Sequence, residues 1–401
     1  MPNYLELQIS CLAGGSILQV HSLAEARAAE AWGAVAIFFS DLNVLSDVEL
    51  DQLVDEVSLH PLCSPRDFPR LSAAYKARTP HHFALEPVSS WGKRPRSFAH
   101  ALDDADIEAI ANIQVDRPHL IICRKASSLP VALRERDSAG ASTLLFVEVG
   151  TLHEGVSALR NGANGILLTR SPGQEMPDEQ DQLALMHAVI EAPGKEWPKG
   201  KHVIGVLSHQ GDYLAHLAAF EDAIADFGVR GSVAVREVRT KAHLDRSDAV
   251  VLPGGWSNLQ TLFLAETGID RALRSASQRG LPVLGTCAGM ILCGSEGGRH
   301  TKGRVMLGLV PGTIDNNVID GVTSIKKLAG GEVEDILFSN GPVLKDFSKD
   351  VQVLAETQDT EQVIAARHDS TFVFSYHDYG RTHPEFLKYC LAHWAEGRLE
   401  S

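Results

Sequence analysis

Short apolar runs recur along this chain, each followed by a stretch with helical spacing. In the first half, "GSILQV", "GAVAIFF", "HHFALE", "HLIIC", "TLLFVEV" and "GILLT" are apolar without alternation, the pattern of strands buried on both faces. Between them, "SLAEARAAEAWG" and "LHEGVSALRNG" place apolar residues three and four apart and end on glycine, a usual helix stop. Repeated β-then-α units predict a parallel sheet, either open or closed into a barrel.

The pattern breaks at "RSPGQEMPDEQDQ" and, after one more helical stretch, at "EAPGKEWPKGKH". Proline, glycine and charge together mark a linker, so a boundary is expected near residue 196, with domains at 1–190 and 202–401 and a linker over 191–201. The second half resumes with strands in "HVIGVLS", "DAVVLPGG", "LPVLGTC" and "TFVFSYHDYG". Helical patterns fall between and after them in "DYLAHLAAFEDAIADFG", "IDRALRSASQRG" and "PEFLKYCLAHW". This predicts a second α/β unit, an open doubly wound sheet.

Length agrees with more than one domain, since 401 residues exceed a single ordinary core. A net charge of −14 argues against nucleic acid as a partner, because phosphate backbones need clustered Lys and Arg. No apolar run nears the roughly 20 residues of a membrane span, and "MPNYLELQIS" lacks the basic and apolar regions of a signal peptide. The six cysteines are scattered with no CxxC pair, so neither a disulfide framework nor a metal site is expected, and the cytoplasm is the expected compartment. No cofactor is implied.

Three glycine-bearing corners follow predicted strands: "SHQGD", "LPGGWSN" and "GTCAGM". Ligands bind at such strand ends in open parallel sheets. Cys287 stands in the third corner, where Gly285 and Gly289 allow a sharp strand-to-helix turn and a helix N-terminus favours thiolate. The amides of Gly255 and Ala288 are candidate donors to an oxyanion, and His377, after a late strand, is the candidate base. A lone cysteine after a strand is more often packing, but the glycines of two corners and a histidine at a third strand end favour chemistry. His377 is one of 17 histidines and its case rests on position. Cys293 reads as core.

"IGVLSHQGDYLAHLAAFE", "VVLPGGWSN", "PVLGTCAGMILC", "LGLVPGT" and "FSYH" follow in order the pattern of the glutaminase subunit of pyridoxal 5'-phosphate synthase, a class I glutamine amidotransferase. The resemblance runs from about Val203 to Trp394. It implies that Cys287 forms a glutamyl thioester from L-glutamine, that His377 activates it, and that Gly254 and Gly255 form the oxyanion and glutamine-binding loop. Ammonia would pass to a partner domain. The family's His-Pro-Glu is here His377-Asp378-Tyr379, which leaves Asp378 as the candidate orienting acid, although neighbours on an extended segment face opposite ways. A second His-Pro-Glu at His383 to Glu385 reads as a coincidence at the start of the last helix. Trp256 replaces a glutamate, and "DNNVIDGV" (Asp315 to Val322) replaces an arginine-bearing segment near glutamine.

The first half, over about residues 14–190, is similar to the synthase subunit of the same enzyme, a (β/α)8 barrel. "GGSILQVHSLAEARAAEAWGAVAIFFSDL", "VSLHPLCSPRDFPRL", "RPHLIICRKASSLPVAL" and "VEVGTLHEGVSALRNGANGILLTRSPG" carry that likeness. A stretch bearing the sixth strand is shortened or missing around Arg136 to Ser142. The first imine-forming lysine of the family falls at Pro65 and the second in the missing stretch; Lys76, Lys93 and Lys125 lie in no matching motif, and the early aspartate aligns with Gln19. Proline has no amine, so this half is not expected to make pyridoxal phosphate. Arg170 and Ser171, in "LTRSPG", remain candidates for holding a phosphate. The expectation is a fused glutaminase that serves a functional synthase barrel subunit or another acceptor, in a homo- or hetero-oligomer. Two alternatives stay open: an inactive pseudoenzyme that scaffolds or regulates a synthase complex, and a different Cys-His hydrolysis with Trp256 reshaping the pocket.

Overall fold

The computed structural model describes residues 11–39, 41–57, 60–63, 70, 74, 107–111, 118–139, 143–297, 306–327 and 333–397. The chain divides into two units, one spanning Leu12–Pro193 and the other running from Gly194 onward together with Cys11.

In the first unit the apolar runs become β1 (Ser16–Gln19), β2 (Ala36–Phe39), β3 (His60–Cys63), β4 (Ile107–Ala111), β5 (Pro118–Cys123), β6 (Leu144–Val149) and β7 (Gly165–Leu168). The helices are α1 (Leu23–Trp32), α2 (Asp47–Glu56), α3 (Leu129–Ala139), α4 (Leu152–Arg160) and α5 (Glu179–Glu191). Capping explains where several begin: the side chains of Ser22, Ser46, Thr151 and Asp178 each accept from the amide three residues on. All four residues of β7 are buried, as its unbroken apolar sequence requires.

The strand order is β3-β2-β1-β7-β6-β5-β4, with β1 between the second and the last parallel strand. Every pairing is parallel except β4 with β5. Among the described residues these strands form one seven-stranded sheet, and no pairing joins β3 to β4. The antiparallel β4 was not foreseen, because a parallel repeat predicts neighbours of one direction only. "HHFALE" and Pro65 lie outside the described residues. One helix, α3, runs through Arg136, and among the described residues no strand separates it from β6.

The second unit contains β8 (His202–Leu207), α6 (Tyr213–Asp226), β9 (Val233–Val238), α7 (Lys241–Leu244), β10 (Ala249–Leu252), α8 (Ser257–Thr267), α9 (Ile269–Gln278), β11 (Val283–Thr286) and α10 (Ala288–Cys293). It continues with β12 (Gly294–Gly297), β13 (Val310–Lys327), β14 (Val333–Lys345), β15 (Gln352–Thr357), β16 (Val363–His368), β17 (Thr371–Phe374) and α11 (Tyr379–Gly397). Strands β9-β8-β10-β11-β17 are mutually parallel, and antiparallel β16, β14, β13 and β15 extend the sheet beyond β17. The chain moves from β8 to one side for β9 and to the other for β10, so the sheet switches direction beside β8, where open α/β sheets form clefts. Leu252 pairs with Gly285 and Thr286 with Phe374, so Cys287 leaves the sheet between the loops that follow β10 and β17.

The turn from β11 into α10 is fixed by close packing. A Cβ on Gly289 would stand 2.7 Å from the Leu252 carbonyl carbon and closer still to its oxygen, with no flexible side chain to yield. Gly289→Ala is expected to destabilise this unit by roughly 3 kcal/mol, seen as a lowered denaturant midpoint, because backbone must shift against backbone. Beneath the turn lies a core that includes Leu252, Val283, Met290, Leu292 and Cys293. Burial raises the Cys293 thiol well above its ordinary range, in keeping with a packing role. Among the described residues no helix is long and apolar enough to cross a membrane, and no group of three metal-binding side chains gathers.

Candidate active site

The C-terminal ends of four neighbouring strands, β8, β10, β11 and β17, converge on one place. Cys287 sits at the corner after β11 with φ 47° and ψ −105°, a backbone setting that non-glycine residues avoid. It is held there by its amide, which donates to the Phe374 carbonyl at 2.8 Å, and by its carbonyl, which accepts from Ile291 at 3.1 Å. Strain of this kind persists only where the surroundings impose it, and it clusters at reactive sites. The residue is 9% exposed, so the corner is largely enclosed. The helix that follows has only six residues.

His377 follows β17, is buried, and hydrogen-bonds the Cys287 thiol. Its Nδ1 lies 2.7 Å from Asp212 Oδ2 and 3.0 Å from the Tyr379 hydroxyl. With Nδ1 so engaged, Nε2 is the ring nitrogen left for the thiol. The Tyr379 hydroxyl also donates to Asp212 Oδ2.

Asp212 comes from the corner after β8, where Ser208, His209, Gln210 and Asp212 are all buried despite their polarity. Its other oxygen, Oδ1, lies 3.5 Å from His216 Nε2. His216 Nε2 is also 3.0 Å from Thr286 Oγ1, and its Nδ1 is 2.8 Å from His383 Nε2. The Thr382 hydroxyl donates to the Asp378 carbonyl and so accepts from His383 Nδ1 at 3.0 Å. His383 Nε2 is then an acceptor, and His216 Nδ1 must carry the proton between them.

The electrostatics follow from this enclosure. Burial pulls the His377 titration down, but the Asp212 charge and hydrogen bond, aided by Cys287, outweigh it and push the ring up to about 10. Burial works to raise the Asp212 carboxyl, yet the charges of His216 and His377 hold it well below the usual carboxylate range. Burial and then the Asp212 charge raise Tyr379 well above the usual phenol range, so it stays a neutral donor. Burial and the neighbouring His216 keep His383 neutral.

The loop after β10 closes the other side. Gly254 lies so near His377 that a Cβ there would be 3.1 Å from both ring nitrogens and closer to Cε1. The Gly254 carbonyl accepts from the Asp212 amide at 3.1 Å and from Gln260 Nε2 at 3.3 Å. A trans peptide sets its N–H opposite its carbonyl, so the Gly255 amide faces away from Asp212 and Gln260. Among the described residues neither the Gly255 nor the Ala288 amide donates to a protein acceptor. Gln210 Oε1 accepts from the Trp256 amide at 2.8 Å, which ties the loops after β8 and β10 together.

Cys287, His377, Gly254, Gly255 and Ala288, read from sequence, thus gather at adjoining strand ends. The carboxylate against Nδ1, however, is that of Asp212 and not of Asp378, the residue offered from sequence. Asp378 instead precedes α11, where its carbonyl accepts from the Thr382 amide at 3.0 Å. His383 stands behind Asp212, so the histidine of the second His-Pro-Glu belongs to the buried polar cluster, while Glu385 is exposed. In sequence Asp212 has no signal of this role, because an acid one residue past a glycine at a helix start reads as a cap. In the other unit, the Arg170 guanidinium is buried, 3.3 Å from Glu25 Oε2, and donates to the Gln174 carbonyl. A phosphate there would have to displace those internal partners. Ser171 beside it is exposed.

A parallel α/β sheet that presents an elbow cysteine and a histidine with a buried carboxylate behind it has the arrangement that cysteine-nucleophile hydrolysis or transfer requires. Residues 206–389 match the SNO glutamine amidotransferase family. A pyridoxal 5'-phosphate synthase subunit PdxT of Clostridium beijerinckii is 33% identical over 193 residues, which cover 47% of this chain and 96% of that protein. The subunit of the same name from Methanosarcina acetivorans is 30% identical, covering 47% of this chain and 98% of that one. A solved glutamine amidotransferase is 26% identical, covers 47% of this chain and 97% of its own, and superposes with a TM-score of 0.40. The chain belongs, through its C-terminal half, to the SNO glutamine amidotransferase family, and that half has the class I glutamine amidotransferase-like α/β fold.

Proposed function

We propose that the chain hydrolyses L-glutamine to glutamate and ammonia, with Cys287 as nucleophile and His377 as its proton partner, in the service of pyridoxal phosphate synthesis. One observation carries this reading: the thiol and the imidazole are hydrogen-bonded at neighbouring strand ends, with the second ring nitrogen held by a carboxylate. Cys287 Sγ adds to the side-chain amide carbon, and the carbonyl oxygen takes the electron pair opposite the Gly255 and Ala288 amides. Collapse breaks the C–N bond as His377 gives a proton to nitrogen, so ammonia leaves and a glutamyl thioester remains. Water then adds to the thioester with its proton passing to His377, and the C–S bond breaks to release glutamate and the thiol.

The relatives' name, a synthase subunit, supports a synthase barrel as the acceptor of ammonia. The absence of an amine at Pro65 supports a first unit that does not itself carry out imine chemistry. Trp256 in the glutamine loop favours a second reading, in which the site is kept for assembly and not for turnover. A diazoketone analogue of glutamine separates the two: the glutaminase reading expects a single adduct, located on Cys287 by mass spectrometry. Absence of that adduct with intact, folded protein would leave the assembly reading.

A further inference from the structure

We propose that Asp212 is the residue that positions His377, holding the imidazole by Nδ1 so that Nε2 meets the Cys287 thiol. The role deepens the glutaminase reading and takes its chemistry from it, while the geometry stands by itself.

Asp212 occupies the start of α6, where an aspartate ordinarily accepts from the second or third amide of the helix. Here its side chain makes no such cap bond. The carboxylate is turned inward with no exposed surface, a setting that disfavours a charge unless partners surround it. The partners are the ring of His377 and the hydroxyl of Tyr379 at Oδ2, and the ring of His216 near Oδ1. His216 is steadied in turn by His383 and by Thr286, the residue before the nucleophile. The acid is thus braced from the end of β17, from β11, α6 and α11 at once, as a group that must hold a ring to a fixed angle requires. Tyr379 stands two residues after His377, where the family motif reads glutamate. Its neutral phenol supplies a hydrogen bond and no charge.

The titratable groups facing His377 are Asp212, Tyr379 and Cys287, and His216 faces Asp212 from the far side with His383 behind it. With isotope-labelled histidine in the full chain, the His377 resonance is identified by its loss in His377→Gln and followed by NMR through pH. In the unsubstituted chain it titrates near 10. In Asp212→Asn the raising charge is gone and burial prevails, so the titration falls below 6.5. In Tyr379→Phe the carboxylate remains and the titration stays above 6.5. Retention of the alkaline titration in Asp212→Asn overturns the assignment, as does its collapse in Tyr379→Phe. Where glutamine is turned over, Asp212→Asn lowers kcat by about tenfold with KM unchanged, the thiol being nucleophilic without a fully oriented base. A titration that shifts in a chain without turnover keeps Asp212 and removes the glutaminase reading; turnover with an unshifted titration does the reverse.

Discussion

Cys287→Ala will abolish glutamine hydrolysis, lowering the rate by roughly 10⁴-fold or more, because the sulfur on which the thioester forms is removed. Among the described cysteines, Cys123, Cys293 and Cys390 are buried in cores, and burial raises the thiols of Cys293 and Cys390 far above their ordinary range. The substitution removes one sulfur from a corner already forced into positive φ, so it leaves packing of the Cys293 layer intact. Ammonia release from glutamine, measured beside a thermal melt, checks both halves of the expectation. Residual activity within tenfold of the unsubstituted chain would place the chemistry elsewhere.

Gly254→Ala carries the second large effect. The added methyl would enter the space of the His377 ring, and that ring cannot retreat freely because Asp212 and Tyr379 hold its Nδ1. Either the ring rotates away from the thiol or the loop moves and carries the Gly255 amide with it. Both outcomes misplace reacting groups by about an ångström, which costs on the order of 10²-fold in kcat. The loop is exposed to this change because its Gly254 carbonyl is tied to the Asp212 amide and to Gln260. Steady-state glutamine hydrolysis and the rate of Cys287 alkylation measure it together. A thiol that alkylates normally in a protein with lost kcat shows that the ring and the amide, and not the nucleophile, were displaced.

Much of the second unit was legible along the chain. Apolar runs ending in "LPGG" and "GTCAG" mark strand ends, since only small residues permit backbone to approach backbone there. The register that sets Thr286 opposite Phe374 brings Cys287 and His377 together, as their positions after predicted strands suggested. The antiparallel strands β13 to β16, and the antiparallel β4 of the first sheet, were not legible. Strand direction depends on which partner a segment finds, and apolar pattern encodes burial without naming the partner.

Sequence alone picked out the candidate nucleophile, its candidate histidine and the glycine corners, because each is a local requirement of chain geometry. Only the folded structure decided which acid stands behind the histidine. Adjacent residues on an extended segment diverge, and the carboxylate at His377 Nδ1 comes not from Asp378 beside it in sequence but from Asp212, 165 residues away and 2.7 Å from the ring. That pairing is set by the parallel sheet lining up the ends of β8 and β17 on one edge, a distance in space that no spacing in sequence expresses.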